Sequence, residues 1–326
     1  MKDEELSLKE ALKNINKKYG AETIAEVGDN DERAIVEGVS TNCYSLDRVF
    51  GEIKGMPRGR IIDIYGAPSG GKTTLAMYLV AQIQKNGGKA AWLDAEYAFV
   101  SEYAIKVGIN TKELLLCQPR TGEEALDIVE TLVKTGEMDI IVIDSTAALV
   151  PEKELEGEIS DSSIAMQARL LSKGLRMITG VASRSKTVIV FISQIRDKIG
   201  SFVGPTTDST GGRALKFYSS VRLKVDKIKT HKSEEAVIGN RLKIEATKNK
   251  VGLPFRVAEL DLFFGKGIDV VGDLLDVAVS KGLIDLNGRT YSCGDIKLGT
   301  SRDDAKSYLE NNSETLNAIK ETLNKN

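Results

Sequence analysis

The sequence predicts an α/β protein: a core with a mainly parallel, twisted sheet flanked by helices, a small helical appendage before it and a small α/β domain after it. Continuous apolar runs at Ile61 to Tyr65, Lys89 to Asp94, Leu114 to Cys117, Asp139 to Asp144 and Thr187 to Ser193 alternate with helical patterns, as strands covered on both faces do. The stretch Gly66-Ala-Pro-Ser-Gly-Gly-Lys-Thr73 matches G-x-x-x-x-G-K-[ST] and lies between one such strand and a helix. Further on, Ser219 to Val225, Arg241 to Thr247 and Ala258 to Phe264 follow with little helix between them, which predicts an antiparallel extension.

In chain order, Leu6 to Tyr19 reads as an amphipathic helix with Leu8, Ala11, Leu12 and Ile15 at helical spacing, before a Gly and Asp rich link at Gly28 to Asp31. Residues 1–33 are expected to be a small helical appendage and linker, 34–268 the core, and 269–326 a second domain with helices near 271–281, 301–310 and 313–323. A chain of 326 residues, 41% hydrophobic and 28% charged, is ordinary for a globular protein long enough to bury a full core. The net charge of -2 announces no polyanion partner, so a nucleic-acid site has to be a local patch. Three scattered cysteines and a single histidine argue against a zinc site or disulfide framework. No apolar run approaches the length of a membrane span, and a cytoplasmic location is expected.

The loop's glycines allow torsions that aim several N–H groups at a phosphate, and the following helix adds positive potential. Lys72 supplies a full charge, and the Thr73 hydroxyl can hold Mg²⁺. The strand Met138 to Asp144 ends in an acid, the form of a second Mg²⁺-organising element at the ligand edge of the sheet. Glu96, at the end of another strand, is the candidate base that orients water toward a γ-phosphate, against a bland reading as a solvated loop acid. Gln194 ends the next strand, where a neutral amide can sense the γ-phosphate without adding charge. Beyond it, 195–210 shows little regular pattern, which in a compact domain points to a functional segment. From Arg196 to Lys229 eight basic residues stand against three acids, a local excess that suits a phosphate backbone.

With these residues in view the chain resembles the bacterial RecA recombinase family from about Leu8 to Glu321. The resemblance is carried by Ser40-Thr41 with Ser45-Leu-Asp47, Gly66 to Thr74, Asp94-Ala-Glu96, Gln118-Pro, Thr121-Gly-Glu123, Ile143-Asp-Ser145, Glu156-Gly-Glu-Ile159, Gln194-Ile-Arg196, Thr210-Gly-Gly212, Ala214-Leu-Lys-Phe-Tyr218 and Lys248-Asn-Lys250. It implies a RecA-type fold and a DNA-dependent ATPase that forms helical filaments on single-stranded DNA and exchanges strands with double-stranded DNA. It also implies an SOS role toward a LexA-like repressor, with single-strand-binding or loader proteins as further partners. By position it implies an ATP site at Gly66, Pro68, Ser69, Gly70, Gly71, Lys72, Thr73 and Thr74, with Tyr103 on the adenine and Thr73 and Asp144 at Mg²⁺. Catalytic roles fall on Glu96, Lys72 and Gln194, and on Lys248 and Lys250 offered to a neighbouring subunit. The DNA contacts implied are Ile164, Arg169, Ser172 and Arg176 in and after a first loop at about 156–164, then Arg196, Lys198, Ile199, Gly200, Thr210, Gly211, Gly212 and Arg213 in and after a second at 195–210. Phe217 is implied at the subunit interface as a relay.

The chain departs from the family pattern at Val100, Asn42 and Ile164, and Phe202 stands one residue earlier than the expected aromatic of the second loop. It ends Glu321-Thr-Leu-Asn-Lys-Asn326 without the acidic tail of many relatives, so less selective uptake of duplex DNA is expected. The alternative is a hexameric RecA-fold DNA motor of the helicase type, which should carry a larger N-terminal domain.

Overall fold

The computed structural model describes residues 7–20, 24, 35–156, 164–197, 207–209, 212–234 and 236–325. The chain forms two compact units, residues 1–36 and 37–326. In the first, α1 (Leu8–Tyr19) starts on a capping box: Glu10 N–H donates to the Ser7 hydroxyl while the Glu10 carboxylate accepts from Ser7. Leu6, the expected start, lies outside the described residues, as does the link at 28–31.

The second unit begins with β1 (Gly38–Val39), α2 (Tyr44–Phe50), β2 (Met56–Pro57), β3 (Ile61–Gly66), α3 (Lys72–Lys85), β4 (Ala90–Asp94), α4 (Ser101–Val107) and β5 (Leu114–Cys117). It continues through α5 (Gly122–Lys134), β6 (Ile140–Asp144), a 3-10 turn, α6 (Glu152–Glu156), α7 (Ile164–Ser185), β7 (Val188–Asp197), β8 (Thr207–Ser209) and α8 (Gly212–Tyr218). Four strands follow, β9 (Val221–Ser233), β10 (Ala236–Asn249), β11 (Val257–Phe263) and β12 (Gly267–Ile268). The last stretch holds α9 (Val270–Ser280), β13 (Asp285–Asn287), β14 (Thr290–Cys293), β15 (Ile296–Gly299), α10 (Arg302–Asn311) and α11 (Ser313–Lys325).

The main sheet has the order β12-β11-β10-β9-β3-β7-β6-β4-β5. Pairing is parallel from β9 through β3, β7, β6 and β4 to β5 and antiparallel from β9 to β12, so the expected antiparallel extension is present. Alternation along β3 sends Ile62 and Ile64 to one face and Ile61 to the other. The first face packs on α3 through Leu75, Leu79 and Ile83, the second on α5 and α7 through Leu126, Leu171 and Leu175. Each fully buried Leu or Ile of this kind contributes roughly 1.5–3 kcal/mol of transfer free energy. Trp92 on β4 is buried in the first core, its ring 5.6 Å from that of Phe99.

Two elements differ from the sequence expectation. The segment 195–210 is not irregular throughout: β7 runs on to Asp197 and pairs antiparallel with β8, Ile195 opposite Ser209 and Asp197 opposite Thr207. Backbone pairing between extended segments needs no apolar alternation, which is why the pattern did not show it. The β9–β10 hairpin extends well past the apolar stretches for the same reason, through Lys227 to Ser233 and Ala236 to Asn240. The small sheet β13-β14-β15 was signalled only by Asn287-Gly288 and Cys293-Gly294, whose glycines take positive φ at the two turns.

The C-terminal helices and sheet form their own apolar cluster around Leu274, Leu275, Leu298, Leu309 and Ile319. Polar contacts fasten it to the core. Asp273 on α9 accepts from the Ser45 N–H at the start of α2 and from the Cys43 thiol. Burial raises the Cys43 thiol pKa well above its usual value, and the nearby Asp273 charge pushes it the same way. The Arg302 guanidinium on α10 bridges Asp261 of β11 and Asp276 of α9.

Candidate active site at the carboxyl edge of the sheet

The loop between β3 and α3 begins at Gly66, tight against the Val225 backbone of β9. A Cβ added at Gly66 would stand 2.2 Å from the Val225 carbonyl oxygen, so only glycine fits. Ala67, Pro68 and Ser69 form an exposed crest. Gly71 then takes φ 90°, ψ 9°, as the residue that turns the chain into α3 with its first amides open toward the loop. Lys72 is buried and its ammonium donates to the Ala67 carbonyl at 2.7 Å, reaching back over the loop it follows. Burial lowers the Lys72 pKa, while Asp144 and Glu96 oppose that shift by favouring the charged form.

The other parts converge from neighbouring strand ends. The Thr73 hydroxyl donates to Asp144 Oδ2 at 2.9 Å, and the Thr74 hydroxyl meets the Tyr103 hydroxyl at 2.9 Å. Glu96 Oε1 accepts from the Ser145 hydroxyl and from Gln194 Nε2 at 3.3 Å. The candidate base and the candidate sensor are therefore in contact, although 98 residues apart in sequence. Burial raises the Asp144 carboxyl to about 6; the Glu96 and Asp94 charges add to the rise, while the Thr73 bond and Lys72 hold it down.

Three residues that sequence reasoning did not place in the site set its geometry. Asp94 accepts from the N–H groups of Ala98 and Phe99 and from Gln118 Nε2, which shapes the turn that carries Glu96. Ser145 holds Glu96 from the side. Asp94 and Gln118 stand at the ends of adjacent strands, β4 and β5, and that adjacency was the available signal.

The Mg²⁺ expectation fits the donor set. A hydroxyl oxygen and a buried carboxylate meet there, and neighbouring acids crowd that carboxylate, so a divalent cation would relieve the repulsion. Among the described residues no group of three or more acids, Cys or His stands together.

Lys248 and Lys250, at the end of β10, are not hydrogen-bonded to Lys72, Glu96 or Gln194 among the described residues. Lys248 Nζ donates instead to the Lys216 and Phe217 carbonyls at the end of α8, at 2.5 and 3.1 Å, and Lys250 is exposed. Phe217 is also exposed. On α7, Arg169 and Arg176 are exposed and Ser172 is half-buried, so the three stand on one helix side. Gln167 Nε2, near the start of that helix, donates to the Thr146 and Leu149 carbonyls just past Asp144. Arg213 is exposed on α8, Gly212 opens that helix, Ile164 opens α7, and the Arg196 backbone pairs in β7. Lys198, Ile199, Gly200, Thr210 and Gly211 lie outside the described residues.

A strand–loop–helix cradle with an acid from a second strand is common to many nucleotide-binding enzymes; the comparisons narrow the choice. The model of the RecA N-terminal domain matches residues 6–269 and that of the RecA C-terminal domain residues 272–326. The chain belongs to the RecA family. The RecA protein of Chlorobaculum tepidum is 48% identical over 313 residues, 96% of this chain and 90% of that protein. Those of Halalkalibacterium halodurans and Geobacter metallireducens are each 46% identical, over 99% and 98% of this chain and 92% and 94% of theirs. The protein is thus a DNA-dependent ATPase of recombination and DNA repair that binds DNA and assembles into filaments of its own kind. A match over the whole chain does not favour the hexameric motor. Among the described residues no helix is long and apolar enough to cross a membrane.

Proposed function

We propose that ATP hydrolysis runs in the crevice at the carboxyl ends of β3, β4, β6 and β7, and that its γ-phosphate is read by Gln194. The contact between Gln194 and Glu96 carries this reading, since it joins the water-activating acid to the strand that leads into the second DNA loop. Gly66, Pro68, Ser69, Gly70 and Gly71 wrap the phosphates, while Lys72 leaves the Ala67 carbonyl to pair with them. Thr73 and Asp144 hold Mg²⁺, and Thr74 with Tyr103 carries the adenosine end. When bound, the cation neutralises charge that develops on the phosphate oxygens. Glu96, kept in place by Ser145, takes a proton from the attacking water. Gln194, once drawn to the γ-phosphate, releases Glu96 for that task and pulls on the Ile195 to Asp197 pairing with β8.

Single-stranded DNA is the primary partner, held by residues of 156–164 and 195–210, by Arg169, Ser172 and Arg176, and by Arg213, with double-stranded DNA as the second. Lys248 and Lys250 are offered to the γ-phosphate of an adjoining subunit, which makes hydrolysis depend on assembly. A LexA-like repressor and single-strand-binding or loader proteins are the further partners of the filament. The test compares ATP hydrolysis without DNA, with single strands and with duplex, in wild type and Gln194→Ala. Stimulation by single strands that is lost in the variant supports the gate; equal stimulation in both defeats it.

A further inference from the structure

Asp63 lies in the middle of β3, fully buried, on the face otherwise packed with Ile61, Phe191 and Leu215. A carboxylate there is costly, and burial raises its pKa even though Arg222 and Ser193 pull it down. Replacing such a buried pair with apolar side chains is often neutral or stabilising, so packing alone does not account for it. Its two oxygens are spent on different strands. Oδ1 accepts from the Ser193 hydroxyl at 2.8 Å, and Oδ2 from Arg222 Nε at 2.8 Å.

Each partner leads toward a different part of the machinery. Ser193 directly precedes Gln194, and it accepts from the Thr146 hydroxyl at 3.3 Å, next to the Ser145 that holds Glu96. On the other side the Arg222 guanidinium lies 4.2 Å from the centre of the Tyr65 ring, and the Tyr65 hydroxyl meets that of Thr247 at 2.8 Å. Thr247 Oγ1 also donates to the Arg222 carbonyl at 3.4 Å, and Lys248 comes next, opposite Arg222 in the β9–β10 pairing.

We propose that Asp63 is a positioning residue that ties the Gln194 end of β7 to the Lys248 end of β10, so that the state of a subunit's own nucleotide site sets the placement of the lysines it offers to the next. The inference rests on the proposed roles of Gln194 and of the two lysines. The charges around Lys248 give it a readout. The charges that act on its ammonium are those of Lys250, Arg222 and Asp63, with the carbonyls of Lys216 and Phe217 as acceptors. Burial, Lys250 and Arg222 push the Lys248 pKa down to about 8, and Asp63 holds it up.

The experiment follows ATP turnover on single-stranded DNA from neutral to alkaline pH, with an unfolding curve for every variant. Asp63→Asn should move the alkaline limb to lower pH, because it removes the charge that favours the ammonium. Asp63→Asn combined with Arg222→Gln should move it back, because the opposing positive charge is gone as well. A lower amplitude with the limb unmoved would mean that Asp63 only supports the fold, and would overturn the proposal. Ser193→Ala, which leaves the ion pair intact, covers the case in which Asp63→Asn does not fold. It should leave the limb in place while the cooperativity of turnover with ATP falls toward none, and unchanged cooperativity would overturn the proposal. Lys248→Ala separates the two levels: undiminished turnover refutes the role given to the lysines, whereas lost turnover with an unmoved Asp63→Asn limb refutes the Asp63 assignment alone.

Discussion

Arg302→Leu should weaken the seat of the C-terminal domain by about 2 kcal/mol, less than the roughly 3–5 kcal/mol that breaking a buried ion pair usually costs. Arg302 Nε and Nη2 donate to both oxygens of Asp276 at 2.9 Å, Nη2 also lies 3.2 Å from Asp261 Oδ2, and Nη1 lies 4.0 Å from Asp269 Oδ2. Each carboxylate has a substitute. Asp276 is 39% exposed and can take up water, Asp261 keeps His231 at 2.8 Å and Arg241 at 3.2 Å, and Asp269 keeps Lys306 at 3.0 Å. About 0.5–1 kcal/mol for each of the three contacts gives the total, and leucine retains much of the arginine stem's packing. Urea unfolding of both proteins measures the difference at its midpoint. Burial alone would raise the Asp261 carboxyl, but His231, Arg241 and Arg302 outweigh it and hold the group below its usual range. A depressed acid stabilises the folded state above the unfolded pKa and loses that contribution as pH falls through the folded one, so the difference should shrink below about pH 4. A change under about 0.5 kcal/mol, or one above about 4 kcal/mol, would refute the reasoning: the first means the network holds nothing, the second that the substitutes do not serve.

Lys250→Ala should lower turnover on single-stranded DNA by about 10²-fold or more with the urea midpoint unmoved, since its side chain is exposed. Lys248→Ala should lose turnover and also about 1 kcal/mol of stability, because its ammonium caps α8 through two carbonyls while burial and like charge offset part of that gain. Gly66→Ala should cost more than about 3 kcal/mol or prevent folding, because the new methyl would overlap the Val225 carbonyl; circular dichroism and expression yield check it.

The parallel half of the sheet was legible because its strands are apolar on both faces. Ile61, Leu114 and Asp144 begin or end strands where the sequence places them. The outer end of the β9–β10 hairpin was not, since Lys229 and Lys232 are exposed and Thr230 and His231 half-buried on a stretch whose only signature is backbone pairing. At the candidate site, the cradle with Lys72 and Thr73 was legible from a local motif, and Asp144 from the acid that ends an apolar strand. The hold of Ser145 and Gln194 on Glu96 was not, since it brings together the ends of three strands far apart in sequence. Asp63 reads as an ordinary interruption of an apolar run until Ser193 and Arg222 are seen on either side of it.

Trp92 is the chain's one tryptophan, and it sits two residues before Asp94, the acid that shapes the turn bearing Glu96. Its indole packs against Phe99 at the far side of that same turn. A rearrangement of the Asp94 to Phe99 turn on nucleotide uptake should change the surroundings of the chain's one tryptophan. Tryptophan emission followed in stopped flow on addition of ATP would then report site occupancy without a label.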